Sequence, residues 1–287
     1  MVFINNGVNI RMMTKNDFLK STSQRLRLEM LDLLFHNGGG HLGGSLSCLD
    51  LILYLYKYEL NITDSNIADL NRDKFILSKG HASISLYQVL AEVGILKKSD
   101  LSNFGSFDSF LEGHPEMIKT RGVDFSTGSL GQGISLGIGM AIASNGKNNI
   151  WVLIGDGECQ EGQIWESAML ASRFNLGNLF VILDENNFQE LGWHYNSTYD
   201  TSPLPDSSNK WRSFGWDVVE VNGHDFLSIE DGLKKLKCKN NKPKIIIAKT
   251  IKGFGFNFIE ENPLRFHCDQ ITILEYKQIR DQQYEIR

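Results

Sequence analysis

The stretch "IWVLIGDGECQEG", Ile150 to Gly162, joins a short apolar run to a glycine-rich turn that carries three carboxylates, Asp156, Glu158 and Glu161. An uninterrupted apolar run of that length reads as a strand buried on both faces. A chain that needed only a turn could use Gly and Asp once. This one ends its strand in Gly-Asp-Gly and adds two more acids directly after it, so the stretch is suited to holding a ligand at a strand end.

Similar runs lie on either side: "KFIL" (Lys74 to Leu77), "LFVIL" (Leu179 to Leu183), "WDVVEV" (Trp216 to Val221) and "KIIIA" (Lys244 to Ala248). The segments between them are long enough for crossover helices. This alternation predicts an α/β fold, a parallel sheet with helices on both faces. An N-terminal helix is expected from about Lys15 to His36, with Leu26, Met30, Leu33 and Leu34 at helical spacing. Further helix starts are read from Ser45, Ser207 and Ser228 as capping residues. With no repeat and no Pro-rich linker, residues 15–287 form one domain in this reading, after an N-terminal extension of residues 1–14.

At 287 residues, 41% hydrophobic and 22% charged, the chain can bury a large core. Cys48, Cys159, Cys238 and Cys268 form no CxxC pair, which points to neither a disulfide framework nor a zinc ribbon and fits a reducing cytoplasm. No signal-peptide pattern and no apolar window of membrane-spanning length is present, so neither export nor insertion is expected. The net charge of −5 argues against nucleic-acid binding. The basic run Lys234 to Lys244 reads as a solvated helix end and loop.

In open α/β sheets, ligands bind beyond the carboxyl ends of the strands. Asp156 and Asn186, the latter in "DENNFQ", each follow a strand and are separated by one crossover helix, so they can face one point. A carboxylate, an amide oxygen and a main-chain carbonyl, that of Phe188, are hard ligands suited to Mg²⁺ (or Ca²⁺) whose other positions are filled by phosphate oxygens. Gly157 lets the backbone approach those phosphates, and amides there can donate to them. The expectation is a grip for a metal and a diphosphate.

The segment "GDGECQEGQIWESAMLASRFNLGNLFVILDENN" resembles the thiamine-diphosphate signature of transketolases. "GGGHLGGSLSCLDLILYLY", "FILSKGHASISLY", "LEGHPE", "STGSLGQGISLGIGMA", "NKWRSFGWDVVEVNGHD" and "KTIKGFGFNFIEEN" follow in that family's order, and the resemblance covers about Lys15 to His267. It implies thiamine diphosphate as cofactor, with Gly157, Glu158 and Asn186 among the residues that bind it. His81 and His267 match positions that contact the diphosphate. His41 and His114 match positions lining the thiazolium and the substrate, and with His267 they form the implied catalytic set. Gly128 and Leu130 fall beside the aminopyrimidine and thiazolium. Glu161 and Glu166 are either an acidic pair at a contact between subunits or first-turn carboxylates favoured by the helix dipole. His224 reads as a partner in a structural turn and His36 as a helix-end residue. Gly131 and Gly133 form a Gly-x-Gly, but without a good preceding strand they read as small residues for helix packing rather than a dinucleotide site. Two departures stand out: Glu190 replaces an apolar residue of longer transketolases near the thiazolium, and "LRFHCDQ" replaces a Trp-His-Gly or Trp-His-Tyr type sequence.

Transketolases also need a glutamate that activates the aminopyrimidine ring, carried on a second domain. This chain ends about where the first domain would end. The resemblance therefore implies the diphosphate-binding half of a split enzyme that moves a two-carbon ketol unit between small sugars. A separate C-terminal subunit would supply the glutamate, in an assembly of two copies of each chain. The alternatives are a half of another thiamine-dependent enzyme acting on a 2-oxo acid, or a non-catalytic binding module.

Overall fold

The computed structural model describes residues 13–190, 204–237 and 240–281. Its strands are β1 (Lys74–Leu77), β2 (Ile150–Gly155), β3 (Leu179–Glu185), β4 (Asp217–Asn222) and β5 (Lys244–Lys249). All pairings are parallel, in the order β1-β2-β3-β5-β4. Each expected strand is present, within two residues at its ends.

The helices are α1 (Lys15–His36), α2 (Leu42–Tyr54), α3 (Ser83–Glu92), α4 (Gln132–Ser144), α5 (Gly162–Arg173), α6 (Ser207–Ser213), α7 (Phe226–Leu236), α8 (Asn257–Glu260) and α9 (Ile273–Asp281). They divide the core in two. On one face, Trp151, Leu153, Phe180, Ile182 and Ile246 pack with α1, α2, α3 and α7. On the other, Ile150, Val152, Ile154, Val181, Leu183, Ile245 and Ile247 pack with α4, α5 and α6. Strands covered on both sides need apolar residues at every position, which is why their runs do not alternate.

Helix α1 has the expected bounds, is capped by Thr14, and buries Leu26, Met30 and Leu34, with Leu33 at the edge of the core. His36 is in its last turn, Nδ1 2.6 Å from the Asp32 carbonyl. The three serine caps are corrected. Helix α2 starts earlier, at Leu42, because main-chain groups elsewhere satisfy its first turn: the Gly43 amide donates to the Phe266 carbonyl at 2.8 Å. Ser45 lies inside the helix. At α7 the cap is Asp225, whose side chain accepts from the Leu227 amide, while the Ser228 hydroxyl accepts from the Asn222 amide at 3.0 Å. Asp206 precedes α6, and Ser207 donates to Glu185 Oε1 at 2.6 Å.

Three other readings are refined. In the basic run Lys234, Lys235, Lys237 and Lys242 are exposed, residues 238–239 lie outside the described residues, and Lys244 is only 3% exposed, its Nζ donating to the Gly177 carbonyl at 2.7 Å. Gly131 packs at the start of α5, where a Cβ would lie 2.9 Å from Glu161 Cβ, but Gly133 packs on Ser78 just past β1, and farther along α4 a Cβ at Gly137 would lie 2.6 Å from Val152 Cγ2 in the sheet. His224 is a turn partner as expected, its amide donating to Asn222 Oδ1 at 3.0 Å, and it also joins a buried network, with Nδ1 2.8 Å from Asp50 Oδ2 and the Arg27 guanidinium 2.6 Å from the same oxygen. Among the described residues, no helix is long and apolar enough to cross a membrane.

Candidate active site

The carboxyl ends of β1, β2, β3 and β5 open into a cavity of about 420 Å³. The turn after β1 brings Lys79 and His81 to it, and the turn after β2 brings Asp156, Gly157 and Glu158. The turn after β3 contributes Asn186, Phe188, Gln189 and Glu190, and the chain after β5 contributes Lys252. His41 at the start of α2, His114 from the loop after α3, Gly128 and Leu130 ahead of α4, and His267 beyond α8 complete the wall. Every residue expected to have a cofactor, metal or catalytic role thus lines one cavity. Glu161 and Glu166 lie outside it, both exposed.

Four histidines converge there. The His41 ring centroid is 5.2 Å from that of His81, 5.6 Å from His267 and 6.0 Å from His114. Gly128 lets His114 come close, since a Cβ there would stand 3.1 Å from the His114 ring. Burial, then the charges of neighbouring His114, Lys79 and Lys252, pull the His41 pKa down to about 4. Burial and the Lys252 charge bring His267 to about 3, and burial with Lys79 carries His81 well below its ordinary value. All three rings are neutral near pH 7, each able to donate one hydrogen bond and accept another.

Two lysines escaped the sequence reading. Lys79 Nζ donates to Asp184 Oδ2 at 2.6 Å and to the Gly44 carbonyl at 2.9 Å. Burial works to lower its pKa, but the charge and hydrogen bond of Asp184 prevail and hold it above the ordinary lysine range. Asp184 is itself fixed by Ser47 (2.6 Å) and by the Thr250 hydroxyl. Lys252 Nζ is 2.8 Å from His267 Nδ1, and burial followed by the Lys79 charge lowers its pKa to about 8. Both lysines lie inside the quoted blocks "FILSKGHASISLY" and "KTIKGFGFNFIEEN", just past a strand end. A cation at that position, and a carboxylate inside an apolar strand, were the signals available.

On the acidic side, Asp156 is 1% exposed and accepts from the amides of Gly157 (2.8 Å to Oδ1) and Asn187 (2.5 Å to Oδ2). Burial and the nearby Asp184 still push its pKa up to about 7, so the carboxylate is short of positive charge. A divalent cation would supply it. Asn186 Oδ1 accepts from the Phe188 amide at 3.0 Å, which fixes the amide group beside Asp156. Among the described residues no three His, Cys, Asp or Glu side chains are grouped to hold an ion. An ion held by one carboxylate, one amide and a carbonyl therefore needs outside oxygens, as a diphosphate would provide. Lys79 and Lys252 give the cavity the positive bias an anionic ligand requires. Glu158 lines the cavity while its buried carboxylate accepts from Ser78, from the Gly131 amide (2.8 Å) and from the Gly155 amide (3.0 Å), tying three turns together. Glu190 is exposed at the cavity wall, so it bears little burial cost.

Residues 19–282 match the family model for the transketolase thiamine diphosphate binding domain. The chain belongs to the transketolase family. It is 35% identical to an apulose-4-phosphate transketolase subunit of Phocaeicola vulgatus, over 84% of this chain and 85% of that protein. With the 6-deoxy-6-sulfo-D-fructose transketolase subunit of Clostridium sp. it shares 39% identity over 87% and 89% of the two chains. The human transketolase is 34% identical, over 85% of this chain but 38% of its own. Among solved structures, the transketolase of Campylobacter jejuni superposes with a TM-score of 0.80 and 31% identity, covering 93% of this chain and 43% of that one. The chain therefore spans less than half the length of the solved transketolases it matches, and nearly all of the relatives named as subunits. It is a transketolase-type subunit with the thiamine-diphosphate-binding fold.

Proposed function

We propose that the chain is the diphosphate-binding subunit of a two-chain, cytoplasmic transketolase that moves a two-carbon ketol unit between small sugars or sugar phosphates. The observation that supports this most is the convergence of four histidines, two lysines and the Asp156–Asn186 pair on one cavity at the ends of adjacent parallel strands. Relatives that are themselves named as transketolase subunits match it almost end to end, which favours a partner chain.

In this reading the Asp156 carboxylate, Asn186 Oδ1 and the Phe188 carbonyl would hold Mg²⁺ (or Ca²⁺), which would neutralise diphosphate charge. Thiamine diphosphate, when bound, would supply a nucleophilic carbon for ketol transfer. The protein's own groups orient and protonate. Lys79, Lys252 and His81 face the diphosphate, with Gly157 leaving room for it, and Gly128 and Leu130 border the rings. His41 and His267, neutral near pH 7, donate hydrogen bonds to substrate oxygens and exchange protons with them, and His114 reaches the same oxygens from its own loop. The activating glutamate comes from the partner, in an assembly of two copies of each chain.

Calorimetric titration of thiamine diphosphate, with and without Mg²⁺, followed by a ketol-transfer assay with the co-purifying partner, tests the proposal. Metal-dependent binding and ketol transfer are expected. Binding indifferent to metal, or a 2-oxo acid as the only donor, would replace it.

A further inference from the structure

The run "GGGHLGG", Gly38 to Gly44, does more than turn the chain. Gly39 has φ +106°, and a Cβ there would lie 2.5 Å from the Asp269 carbonyl oxygen and 2.8 Å from Gln270 Cα. At Gly43, whose φ is ordinary, a Cβ would lie 2.9 Å from the Phe266 carbonyl oxygen and 3.2 Å from Lys252 Cγ. The Gly43 amide donates to that same oxygen at 2.8 Å, and Gly40 forms an isolated antiparallel bridge with Asp269. The two glycines thus receive the strap 266–270 backbone against backbone. The strap carries His267.

It is also stiff. Phe266 and Ile271, 3% and 8% exposed, anchor it on either side of His267. Arg265 links it to Glu275 (3.1 Å) and to the Gln270 carbonyl (2.7 Å). A contact below 3 Å with main-chain oxygen is not relieved by rotating a side chain, so one of the two backbones must move. Gly38 offers the contrast: its φ is +85°, yet a Cβ there would meet nothing within 4 Å.

We propose that Gly39 and Gly43 are positioning residues: by admitting the strap at backbone contact they set His267 over the cavity, and a methyl group at either lifts His267 away from Lys252 and His41. The docking stands on geometry alone. Only its consequence for turnover rests on reading the cavity as a thiamine-diphosphate site.

The test uses the unliganded chain, so failure of the cofactor reading leaves it interpretable. The His267 ring is followed by NMR, its signal assigned by its loss in His267→Gln, in wild type, Gly38→Ala, Gly39→Ala and Gly43→Ala. Docked, His267 faces Lys252, Lys79 and His41, and burial with those charges keeps it neutral down to about pH 3. In Gly39→Ala and Gly43→Ala it is expected to take up a proton between pH 7 and about pH 5, near the ordinary histidine range. Gly38→Ala, which also places a side chain at a positive φ but has no strap contact, should titrate as wild type does. Unchanged titration in both strap variants, or an equal shift in Gly38→Ala, overturns the proposal. Alanine is the better helix former, so Gly43→Ala is expected to keep α2 folded. Hydrogen exchange on the wild type adds a check free of variants. The Gly43 amide, in the first turn where no intrahelical partner exists, should be protected by Phe266, and exchange at the rate of a free amide would also overturn the proposal.

Discussion

At the scale of single residues, Asp156 sits past the end of β2 and contributes charge rather than core volume, so Asp156→Ala should leave the fold intact while abolishing metal-dependent binding of thiamine diphosphate. Asn186→Ala should weaken it less. Calorimetry giving wild-type affinity for Asp156→Ala would remove the metal assignment. His114 approaches His41 from a separate loop, and its loss should lower turnover with the partner present by about 10²–10⁴ while affecting cofactor affinity less. Equal turnover would return it to a structural role. The depressed histidines also carry a pH signature. From an ordinary value of 6.5, His41 falls to about 4 and His267 to about 3, with His81 lowered too, so the unfolded chain takes up these protons first. Stability is therefore lost as pH falls below about 6.5. Asp156, raised to about 7, acts in the opposite sense between about pH 7 and pH 4, since the folded state binds its proton first. Three groups outweigh one. The thermal midpoint of the unliganded chain should fall from pH 7 to pH 5, and fall less with inorganic pyrophosphate, whose charge offsets the lysines; a midpoint that rises on acidification would contradict this.

At the scale of elements, α4 shows packing overriding propensity. Alanine in a helix interior is worth about 1 kcal/mol more than glycine. At Gly137, however, the added methyl would lie 2.6 Å from Val152 Cγ2, and overpacking of this kind typically costs about 1–3 kcal/mol. Gly137→Ala is thus expected to be destabilising on balance, by about 1 kcal/mol, in urea denaturation. Adding Val152→Ala should recover part of the Gly137→Ala loss, because the two sites are coupled. A more stable Gly137→Ala would mean that α4 can lift from the sheet at no cost.

At the scale of the whole molecule, the strand order sets β2 beside β3, so two consecutive strand ends deliver Asp156 and Asn186 side by side, with the β1 and β5 turns flanking them. Of the carboxylates near the cavity, Glu158 is consumed by Ser78 and two amides, and Asp184 by Lys79, Ser47 and Thr250. Neither is free to activate a pyrimidine ring, and Glu190, also at the wall, lies two residues beyond Phe188, on the diphosphate side in the proposed reading. The chain alone is therefore expected to bind thiamine diphosphate weakly and turn over nothing, with activity appearing when a partner supplies the glutamate. The check is a ketol-transfer assay on chain verified by mass spectrometry to be free of partner. Robust turnover there would end the two-chain reading.

What the sequence determined by itself was whatever depends on local pattern. Apolar runs gave all five strands, helical spacing gave α1, and positions just beyond strand ends gave Asp156, Gly157 and Asn186, because burial on both faces and chain direction are written locally; the histidines of the cavity wall, Gly128 and Leu130 came from the family resemblance instead. The tertiary structure decided the rest. The starts of α2 and α7 moved from Ser45 and Ser228 because main-chain groups were satisfied by Phe266 and by Asp225 instead. Lys244 became buried, Glu158 became a tie between turns, and His224 joined Arg27 and Asp50. The Lys79–Asp184 pair joins residues 105 positions apart, and Ser47–Asp184 joins residues 137 apart. Which partner a buried polar group finds at such separations is fixed by the packing of the sheet and its helices, so no periodicity in the chain announces it.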